Sequence, residues 1–332
     1  MSTEIRIHIH CEFHDGPWGG GNQFLKALRD EFIRKDCYTG EPEGGDVILF
    51  NSHHSLKEIT KLRRGYQDKI LVHRVDGPMS YRGEEGKKTD KTIFRVNSLV
   101  ADGTVFQSNW SKLESHKHGM KENNYETVIH NAPDSNIFAA NGQPPQRTCN
   151  HNGKIKIIAT SWSANQGKGF EIYHFLDENL DFEKYEMTFV GRSDRSFENI
   201  NIIDPVPSEQ VAQHLRQHDI FILASKLEAC SNSLVEALNC GLPSVVMNTS
   251  SNPEILGERG KTFDGKEDII QKIEMVAENI DDYGEKSPMP SIEVVGEKYC
   301  QFFEMILSGI SNGDYRAKRL TLLDSHRLRF TL

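Results

Sequence analysis

Short apolar segments that fit buried strands alternate along the chain with longer segments in which apolar residues recur with the helical period. The strand-like segments are rich in Ile, Val, Leu and Phe and lie at 5–10, 46–50, 69–73, 103–107, 126–130, 154–159, 186–190 and 219–224. The segment from Phe24 to Phe32 has the helical period, and Asn22 is suited to cap it. Strands that alternate with helices in this way favour doubly wound parallel sheets.

The middle of the chain interrupts this alternation. Residues 141–153 are rich in Pro, Gly and Asn and contain almost no apolar side chains, which is typical of a linker. A second series of strands and helices follows, without repeating the sequence of the first. We therefore predict an α/β protein with two Rossmann-like domains, at 1–145 and 152–309. Near the end, 290–309 has a helical pattern whose apolar side would contain Val294, Tyr299, Phe302, Phe303 and Ile306.

Composition places the chain among ordinary globular proteins. It has 332 residues, which is enough for two domains, and 37% of them are apolar, with a mean hydropathy of −0.55. No apolar run reaches the length of a membrane span, and we expect no signal peptide because strand-like alternation starts at once. The cysteines lack C-x-x-C spacing, which indicates free thiols in a reducing, cytoplasmic compartment; they are Cys11, Cys37, Cys149, Cys230, Cys240 and Cys300.

The charge of the chain bears on its partners. A net charge of −9 argues against nucleic acid as the main partner. Residues 57–121 nevertheless carry an excess of Lys and Arg, which fits an anionic lipid or an anionic glycan. A peripheral contact with the inner face of a membrane is one interpretation of this basic face, and an ordinary solvated surface is the simpler one.

The most informative stretch is a pair of glutamates, Glu228 and Glu236, with seven residues between them. Glu228 follows the strand pattern at 219–224, so it lies at the mouth of a strand-to-helix loop. Glu236 lies about two turns further on, inside the helix that follows. A helix start offers unpaired N–H groups and a positive dipole end, which suits a diphosphate. Carboxylates on either side of such a site accept hydrogen bonds from sugar and ribose hydroxyls.

This stretch resembles the E-x7-E signature of retaining glycosyltransferases of family four, and the resemblance is strongest from 155 to 262. The resemblance implies a GT-B fold, in which two doubly wound Rossmann-like domains face each other across a cleft and C-terminal helices, here about 310–332, cross back onto the first domain. It also implies that Glu228 contacts the transferred sugar and that Glu236 binds the nucleotide ribose. An ordinary solvated helix face is the structural alternative for the two glutamates.

A second motif of the same kind is the loop at 159–169, which ends in Lys168 and Gly169. A lysine there neutralises a diphosphate as a point charge. Family-four enzymes usually carry an Arg five residues earlier, and both cations hold the phosphates. Ser163 stands at that position here, so one of the two cations is missing. Either Arg192, which follows Gly191 in the next strand-end segment, or another basic residue compensates for it, or donor affinity is low.

Two segments of the first half are further candidates. The glycines at 19–21 lack the spacing of a dinucleotide fingerprint, but the resemblance implies that Gly20 and Gly21 lie near donor phosphates and acceptor. A flexible turn is the alternative for these glycines.

The other segment is the strand end at 73–76. Family-four enzymes often have a His at a strand end, a place that Asp76 takes here, with His73 as a rival under a shifted alignment. Asp76 would otherwise only cap the turn before a Gly-Pro pair.

Together the motifs imply an enzyme of polysaccharide biosynthesis that moves a hexose from a nucleotide-diphosphate sugar to a hydroxyl of a glycan or lipid-linked glycan. We expect no metal ion and no cofactor. A catalytically inactive GT-B protein that binds a nucleotide sugar or a glycan is the alternative, motivated by Ser163. The candidate catalytic residues are Glu228, Asp76 and Lys168. The candidate donor-binding residues are Gly20, Gly21, Ser163, Lys168, Gly191, Arg192, Cys230, Ser231, Asn232, Ser233 and Glu236.

Overall fold

The structure, a computed structural model, describes residues 5–16, 19–139, 153–284, 289–321, 324 and 328. It forms two compact units. The first unit contains the residues up to Phe13, Leu28–His130 and the residues from Glu293 onward, and the second contains His14–Ala27 and Asn131–Ile292.

The described residues form these strands: β1 (Ile7–His10), β2 (Val47–Asn51), β3 (Ile70–Val75), β4 (Gly103–Phe106), β5 (Tyr125–Val128), β6 (Ile155–Ser161), β7 (Tyr185–Gly191), β8 (Asn201–Ile203), β9 (Ile220–Leu223), β10 (Ser244–Met247) and β11 (Gly260–Phe263). They form these helices: α1 (Gly20–Arg34), α2 (Leu56–Gly65), α3 (Glu84–Val100), α4 (Asn109–Lys117), α5 (Ser135–Phe138), α6 (Phe170–Asn179), α7 (Ser208–Arg216), α8 (Asn232–Asn239), α9 (Asn252–Leu256), α10 (Ile269–Glu278), α11 (Ile280–Gly284) and α12 (Ile292–Ser311). Short 3₁₀ turns lie at Pro42–Gly44, Met79–Arg82 and Gln166–Lys168.

The sheet of the first unit is parallel, with strand order β1-β2-β3-β4-β5. Ile7 of β1 also forms a parallel bridge with Tyr38, through hydrogen bonds from the Ile7 N–H to Cys37 O and from the Thr39 N–H to Ile7 O. Since β2 pairs with the other edge of β1, the segment around Tyr38 lies on one side of β1 and the next strand, β2, lies on the opposite side. This reversal is the mark of a doubly wound sheet.

The C-terminal helix α12 packs on the face of this sheet that carries Gly103. A Cβ at Gly103 would lie 2.6 Å from Ile306 Cδ1 and 3.0 Å from Phe302 Cζ, so glycine lets the helix approach. Phe302 and Ile306 are buried as predicted, but Val294 is 48% exposed and Val295 is buried in its place. The prediction was wrong for Val294 because the buried side of α12 runs through Ile292, Val295 and Tyr299, so residue 294 lies on the exposed side of the helix, as Met305 does.

The described residues that directly follow α12 are not helical. Gly313 adopts a left-handed φ of 81°, which ends the helix, and the described residues 312–321 contain no helix or strand. The predicted helices at 310–332 are therefore absent from 312–321; residues 322, 323 and most of those that follow lie outside the described residues.

Asp102 holds this segment in place. The fully buried carboxylate of Asp102 accepts hydrogen bonds at Oδ1 from the Tyr315 hydroxyl (3.1 Å) and the Lys318 backbone N–H (2.7 Å). Its Oδ2 accepts from Arg63 Nη1 and from the Leu71 N–H, each at 2.8 Å. The four partners are all donors, which satisfies an ionised carboxylate without access to water.

The sheet of the second unit is also parallel and has the order β11-β10-β9-β6-β7-β8. From β6, the strands β7 and β8 follow one another towards one edge of the sheet. The next three strands, β9, β10 and β11, follow one another from the opposite side of β6 towards the other edge. The strand order reverses between β6 and β9, and this is the point where open α/β sheets bind ligands at the carboxyl ends of their strands.

The second unit begins earlier in the chain than the sequence indicated. The sequence placed the boundary in the linker at 141–153, most of which lies outside the described residues, whereas residues from Asn131 already pack with the second unit. Phe138 is buried in its core, and the carbonyl of Ile137 accepts a hydrogen bond from Arg216 Nη1 at 2.8 Å. These contacts tie α5 to α7, which the linker composition does not reveal.

Candidate active site

The loops that follow β6 and β9 are joined at the point where the strand order reverses. The Lys226 N–H donates to the carbonyl of Gly167 at 2.9 Å, which connects the two loops through their backbones. Lys168 Nζ and Glu228 Oε1 form an ion pair of 2.7 Å, with side chains 27% and 16% exposed. The structure therefore brings together two of the predicted catalytic residues, sixty positions apart in sequence, at the expected edge of the sheet.

A glycine permits this close approach. Gly169 precedes α6 with a left-handed φ of 71°, and a Cβ there would lie 2.1 Å from Ala224 O. Any side chain would clash with the backbone of the β9 loop and would strain its own backbone. The buried Tyr173 hydroxyl, one turn into α6, accepts the Ala224 N–H at 3.1 Å, and burial raises the pKa of this phenol. The Lys168 loop and the Glu228 loop are thus held at a fixed spacing.

The backbone around Glu228 is braced from a third segment, the one that follows β10. The Glu228 N–H donates to Ser250 Oγ at 3.0 Å, and its carbonyl accepts the Ser251 N–H at 3.3 Å. The fully buried Asn252 donates from Nδ2 to Ser225 O at 2.9 Å. The Glu228 carboxylate takes no part in these bonds, so the position of the loop backbone does not depend on the charge of this side chain.

The N-terminus of α8 follows Glu228, and the first N–H groups of a helix have no acceptor within the helix itself. Ser231 is the N-cap: its Oγ accepts the Leu234 N–H at 3.4 Å and lies 3.1 Å from Ser233 Oγ. Asn131 Nδ2 donates to Asn232 Oδ1 at 3.0 Å, which fixes the first side chain of the helix. The sequence analysis did not identify Asn131 as part of this site.

Gly20 also lies against the start of α8. A Cβ at Gly20 would lie 2.3 Å from Asn232 Nδ2, so a larger residue would displace that side chain, whereas the space around Gly21 is open. The predicted cap at Asn22 was wrong, because α1 already begins at Gly20. Asn22 instead binds the backbone of His14: its Oδ1 accepts the N–H at 3.0 Å and its Nδ2 donates to the carbonyl at 2.9 Å.

Glu236 has no partner in the part of the chain that the structure describes. Its side chain is half-buried in the middle of α8, with no hydrogen bond or ion pair among those residues. Burial disfavours the charged form and raises the pKa of Glu236 to about 8. A carboxyl group in this condition is suited to a ligand that brings hydrogen-bond donors, because such donors would offset the cost of its desolvation.

Arg192 lies beside the position of the missing arginine. Gly191 brings β7 against β6 closely enough that a Cβ would lie 1.9 Å from Ser161 O, and the Arg192 N–H donates to that carbonyl at 3.0 Å. The guanidinium of Arg192 stacks over Trp162, 4.5 Å from the ring centroid. Among the described residues the guanidinium has no carboxylate partner. Ser163 Oγ accepts a hydrogen bond from Asn165 Nδ2 at 2.8 Å, so this hydroxyl stabilises the turn of its own loop.

Cys230 differs from its neighbours because its side chain is buried. Its Sγ accepts the Asn131 N–H at 3.4 Å, and its carbonyl accepts from Asn131 Nδ2 at 3.4 Å. The thiol therefore holds Asn131 in position, and only the backbone of Cys230 is placed to serve a ligand.

Asp76 belongs to the first unit and lies just after β3. It accepts a hydrogen bond from Gln107 Nε2 and lies 3.6 Å from Arg74 Nη1. Its rival His73 is fully buried: Nε2 donates to Ser52 O at 2.8 Å, Nδ1 accepts from Asn97 Nδ2 at 3.1 Å, and burial lowers the pKa of the ring to about 4. His73 is a neutral core residue with both nitrogens in use, which leaves Asp76 as the candidate at this strand end.

The described residues lack two features that would change the picture of this site. No cluster of three or more His, Cys, Asp or Glu side chains there is arranged to hold a metal ion. None of the helices described combines the length and apolarity that a bilayer crossing requires.

Residues 175–279 match the family model described as glycosyl transferases group 1. This region contains Arg192, Glu228, Glu236 and the whole of α8, and Lys168 lies just before it. A sequence comparison with curated proteins gives no match.

Solved structures resemble most of the chain. Sucrose-phosphate synthase from Thermosynechococcus elongatus matches with a TM-score of 0.65 and 11% identity, over 92% of this chain and 96% of that one. HepE from Anabaena in complex with UDP-glucose matches with a TM-score of 0.67 and 12% identity, over 93% and 100%. The pneumococcal O-GlcNAc transferase GtfA in complex with UDP and GlcNAc matches with 0.58 and 12%, over 79% and 57%. At these identities the likeness shows the fold, and it confirms the predicted GT-B class.

Proposed function

We propose that the chain is a retaining, metal-independent glycosyltransferase that transfers a hexose from a nucleotide-diphosphate sugar to a hydroxyl of a glycan or lipid-linked glycan. The observation that carries the proposal is the Lys168–Glu228 ion pair beside the start of α8, where the strand order of the second unit reverses. The glycosyltransferase family model over 175–279 supports the same reaction class. So do two complexes of proteins with this fold, one with UDP-glucose and one with UDP and GlcNAc.

Each part of the site has a role in this reaction. Lys168 and the N–H groups at the start of α8 would hold the diphosphate and stabilise the negative charge that develops on it as the sugar leaves. Glu228 would accept hydrogen bonds from the hydroxyls of the sugar, and Glu236 from the ribose. The leaving diphosphate would take the proton of the acceptor hydroxyl on the same face of the sugar. Asp76 of the first unit would orient the acceptor.

The proposal is tested first by donor binding. UDP, GDP, dTDP and ADP, each with and without glucose attached, should be screened for thermal stabilisation. A ligand present at a hundred times its dissociation constant adds about 2.7 kcal/mol to the free energy of unfolding. The donor that binds is then incubated with candidate acceptors, with and without EDTA. Loss of activity in EDTA would refute metal independence, and inversion of the anomeric centre in the product would refute retention.

A non-catalytic binding protein is the second candidate, because Ser163 leaves the site with one cation fewer than expected. It predicts donor binding without transfer to any acceptor and without slow hydrolysis of the donor. If no nucleotide stabilises the protein at all, both the enzyme and a binder of nucleotide sugars fail, and of the inactive alternatives only a glycan-binding protein remains.

The affinity for the donor should depend on pH through Glu236. If ribose hydroxyls donate to the ionised carboxylate, binding requires loss of the proton that Glu236 holds below about pH 8. Affinity for a UDP-sugar, whose phosphates do not titrate in this range, should rise about tenfold per pH unit at most between pH 6 and 8, and then level off. Calorimetry at several pH values measures this, and Glu236→Gln should give weaker, pH-independent binding with a smaller change in turnover. A pH profile unchanged in Glu236→Gln would refute the ribose role.

Stability of the ligand-free protein should show the opposite trend. The folded state binds the Glu236 proton more tightly than the unfolded state, whose pKa is near 4.5. The contribution of the protonated Glu236 to the free energy of unfolding therefore falls as pH rises from about 4.5 to 8.

Arg192 is expected to supply the cation that Ser163 does not. A guanidinium whose face is held by an aromatic ring is pre-organised to donate paired hydrogen bonds to a phosphate. Arg192→Ala should weaken UDP binding by about tenfold or more, on the scale of hydrogen bonds to charged groups. Trp162→Ala should have a smaller effect in the same direction. Uridine, which lacks phosphates, is the control ligand and should bind all variants equally.

The reverse substitution tests the same idea. Ser163→Arg should give no gain in affinity if Arg192 already occupies the site, and should tighten UDP binding only in the Arg192→Ala background. If none of these variants changes UDP affinity in calorimetry, the diphosphate does not lie beside Lys168.

A further inference from the structure

The helices α2, α3 and α4 cover one face of the sheet of the first unit. Buried side chains of α2 and α3 share one core cluster with strands β2, β3 and β4. The ring of Phe106 in that cluster also meets α4, where the ring of His116 lies edge-on at 5.5 Å. The helix α12 lies on the opposite face, because Gly103, which contacts it, and Phe106 are an odd number of residues apart in β4.

Cations dominate the outward sides of α2 and α3. Six exposed cations lie there in two rows with helical spacing: Lys57, Lys61 and Arg64 in α2, and Lys88, Lys91 and Arg95 in α3. Each row is about 10 Å long, and helices packed side by side lie about 10 Å apart. The charges are therefore close enough to act together on one anionic surface at an ionic strength of about 0.1 M.

The exposed acids of these two helices are fewer, and two of the three have partners of their own. They are Glu58, Glu84 and Glu85. Glu58 lies 3.2 Å from His10, and Glu84 pairs with Lys87 at 2.6 Å. Since the whole chain has a net charge of −9, this face concentrates positive charge against the balance of the protein.

Apolar and aromatic side chains stand out beside these charges. Leu113 of α4 is 68% exposed, and Tyr81, in the 3₁₀ turn before α3, is 50% exposed. The ring of Tyr81 stacks with Trp110 at 6.2 Å between centroids, and its hydroxyl donates to Glu114 at 2.5 Å, which fixes the ring against α4. Exposed leucine, tyrosine and tryptophan beside lysines are typical of surfaces that enter the headgroup region of a membrane.

We propose that the outward face of α2, α3 and α4 docks on a membrane that contains anionic lipids. Each Lys or Arg near such a membrane raises the affinity about fivefold. Four of the six cations are lysines, which act as point charges and attract an anionic plane without requiring one arrangement of its groups. An extended anionic plane fits two rows of such charges better than a single sugar does, because a sugar is recognised by hydrogen bonds of fixed geometry.

The docking surface adjoins the strand end that carries the acceptor candidate. Asp76 and Tyr81 both follow β3, and Gln107, which donates to Asp76, begins the segment that leads from β4 into α4. This part of the inference rests on the proposed function: a lipid-linked acceptor held in the docked membrane would be presented at this edge of the sheet.

The experiment measures how the full chain sediments with vesicles. One set of vesicles contains phosphatidylcholine alone, and the other contains phosphatidylcholine mixed with phosphatidylglycerol. We expect binding to the mixed vesicles only, and release as sodium chloride rises from about 0.1 M to about 0.5 M, because the range of the attraction shortens. Equal binding to both kinds of vesicle, or to neither, would overturn the proposal.

A triple variant tests the basic rows. The α3 variant combines Lys88→Gln, Lys91→Gln and Arg95→Gln, and it should bind the mixed vesicles about a hundredfold more weakly, since three of the cations are lost. Leu113→Ser should weaken binding at every salt concentration, because its contribution is apolar. Both variants should melt as wild type does, since the altered side chains are exposed.

The matched control removes the same charge elsewhere. It combines Lys184→Gln, Lys266→Gln and Lys298→Gln, which are exposed and lie outside α2, α3 and α4. The control should bind the vesicles as wild type does. A control that loses as much affinity as the α3 variant would show that net charge alone matters and would overturn the proposal.

Two further outcomes separate this inference from others. Binding of wild type to soluble polygalacturonate but not to the mixed vesicles would assign the face to an anionic glycan and would refute the membrane. The α3 variant should transfer sugar to a water-soluble acceptor at the rate of wild type and should lose transfer to an acceptor embedded in the mixed vesicles. Vesicle binding by a wild type that transfers no sugar would refute the proposed function and support the docking surface, whereas transfer without vesicle binding would do the reverse.

Discussion

Replacement of Glu228 by alanine is expected to lower sugar transfer about a hundredfold or more and to leave the fold intact. The loop around Glu228 is braced by backbone bonds to Ser250 and Ser251 that do not involve its carboxylate. The loss of the carboxylate would release Lys168, which is partly exposed and can be solvated. The damage should therefore appear in turnover and not in the free energy of unfolding.

The test measures turnover, the Michaelis constant of the donor and the melting temperature of each variant. Glu228→Gln retains the shape of the side chain and should recover part of the activity. Glu171→Ala is the matched control, because Glu171 forms an exposed ion pair with Lys226 in the same unit; its activity should equal that of wild type. Transfer by Glu228→Ala within threefold of wild type would refute the role of Glu228.

Most of the fold could be predicted from local patterns because most strands of the two sheets are short, apolar and bounded by turns. The partly exposed β8 and the glycine-led β11 lack this pattern and were not among the predicted segments. The features that the sequence did not predict depend on contacts between residues that are far apart in the chain. The reversal beside β1 depends on a single bridge at Tyr38, a residue with no strand pattern around it. The transfer of residues 131–138 to the second unit depends on side-chain bonds to residues about a hundred positions away. Composition and periodicity depend only on residues that are close in sequence. Neither the bridge at Tyr38 nor the side-chain bonds of residues 131–138 changes these local patterns, so neither could be predicted from them.

The same limit applies to the candidate site. Lys168 and Glu228 could be predicted because both lie on strand-to-helix loops, and parallel strands bring such loops to one edge of the sheet. The stacking of Arg192 on Trp162 could be anticipated only as a possible replacement for the residue missing at position 163. Asn131 was missed as a contact of α8, because an Asn before a Pro-containing turn is explained by the turn alone.

The largest expected effect on stability is that of Asp102→Asn, which should lower the free energy of unfolding of the first unit by about 3–5 kcal/mol. The change leaves the guanidinium of Arg63, which is fully buried, without a counter-charge. Arg63 Nη1 and the Leu71 N–H face one carboxylate oxygen and the Lys318 N–H faces the other, so the new amide nitrogen meets a group that can only donate whichever way the side chain turns. Only the Tyr315 hydroxyl could rotate to accept from it, and at least one donor loses its acceptor.

Urea unfolding of wild type and variants measures this loss. Tyr315→Phe removes a single donor and should cost about 1 kcal/mol, since the carboxylate keeps its other partners. Arg63→Met combined with Asp102→Asn should be less destabilised than Asp102→Asn alone, because the buried charge is gone. Glu84→Gln breaks a surface ion pair with Lys87 and should leave the urea midpoint unchanged. If the double variant is no more stable than Asp102→Asn, the buried charge of Arg63 is not the cause, and the loss must be assigned to the bonds that hold Tyr315 and Lys318.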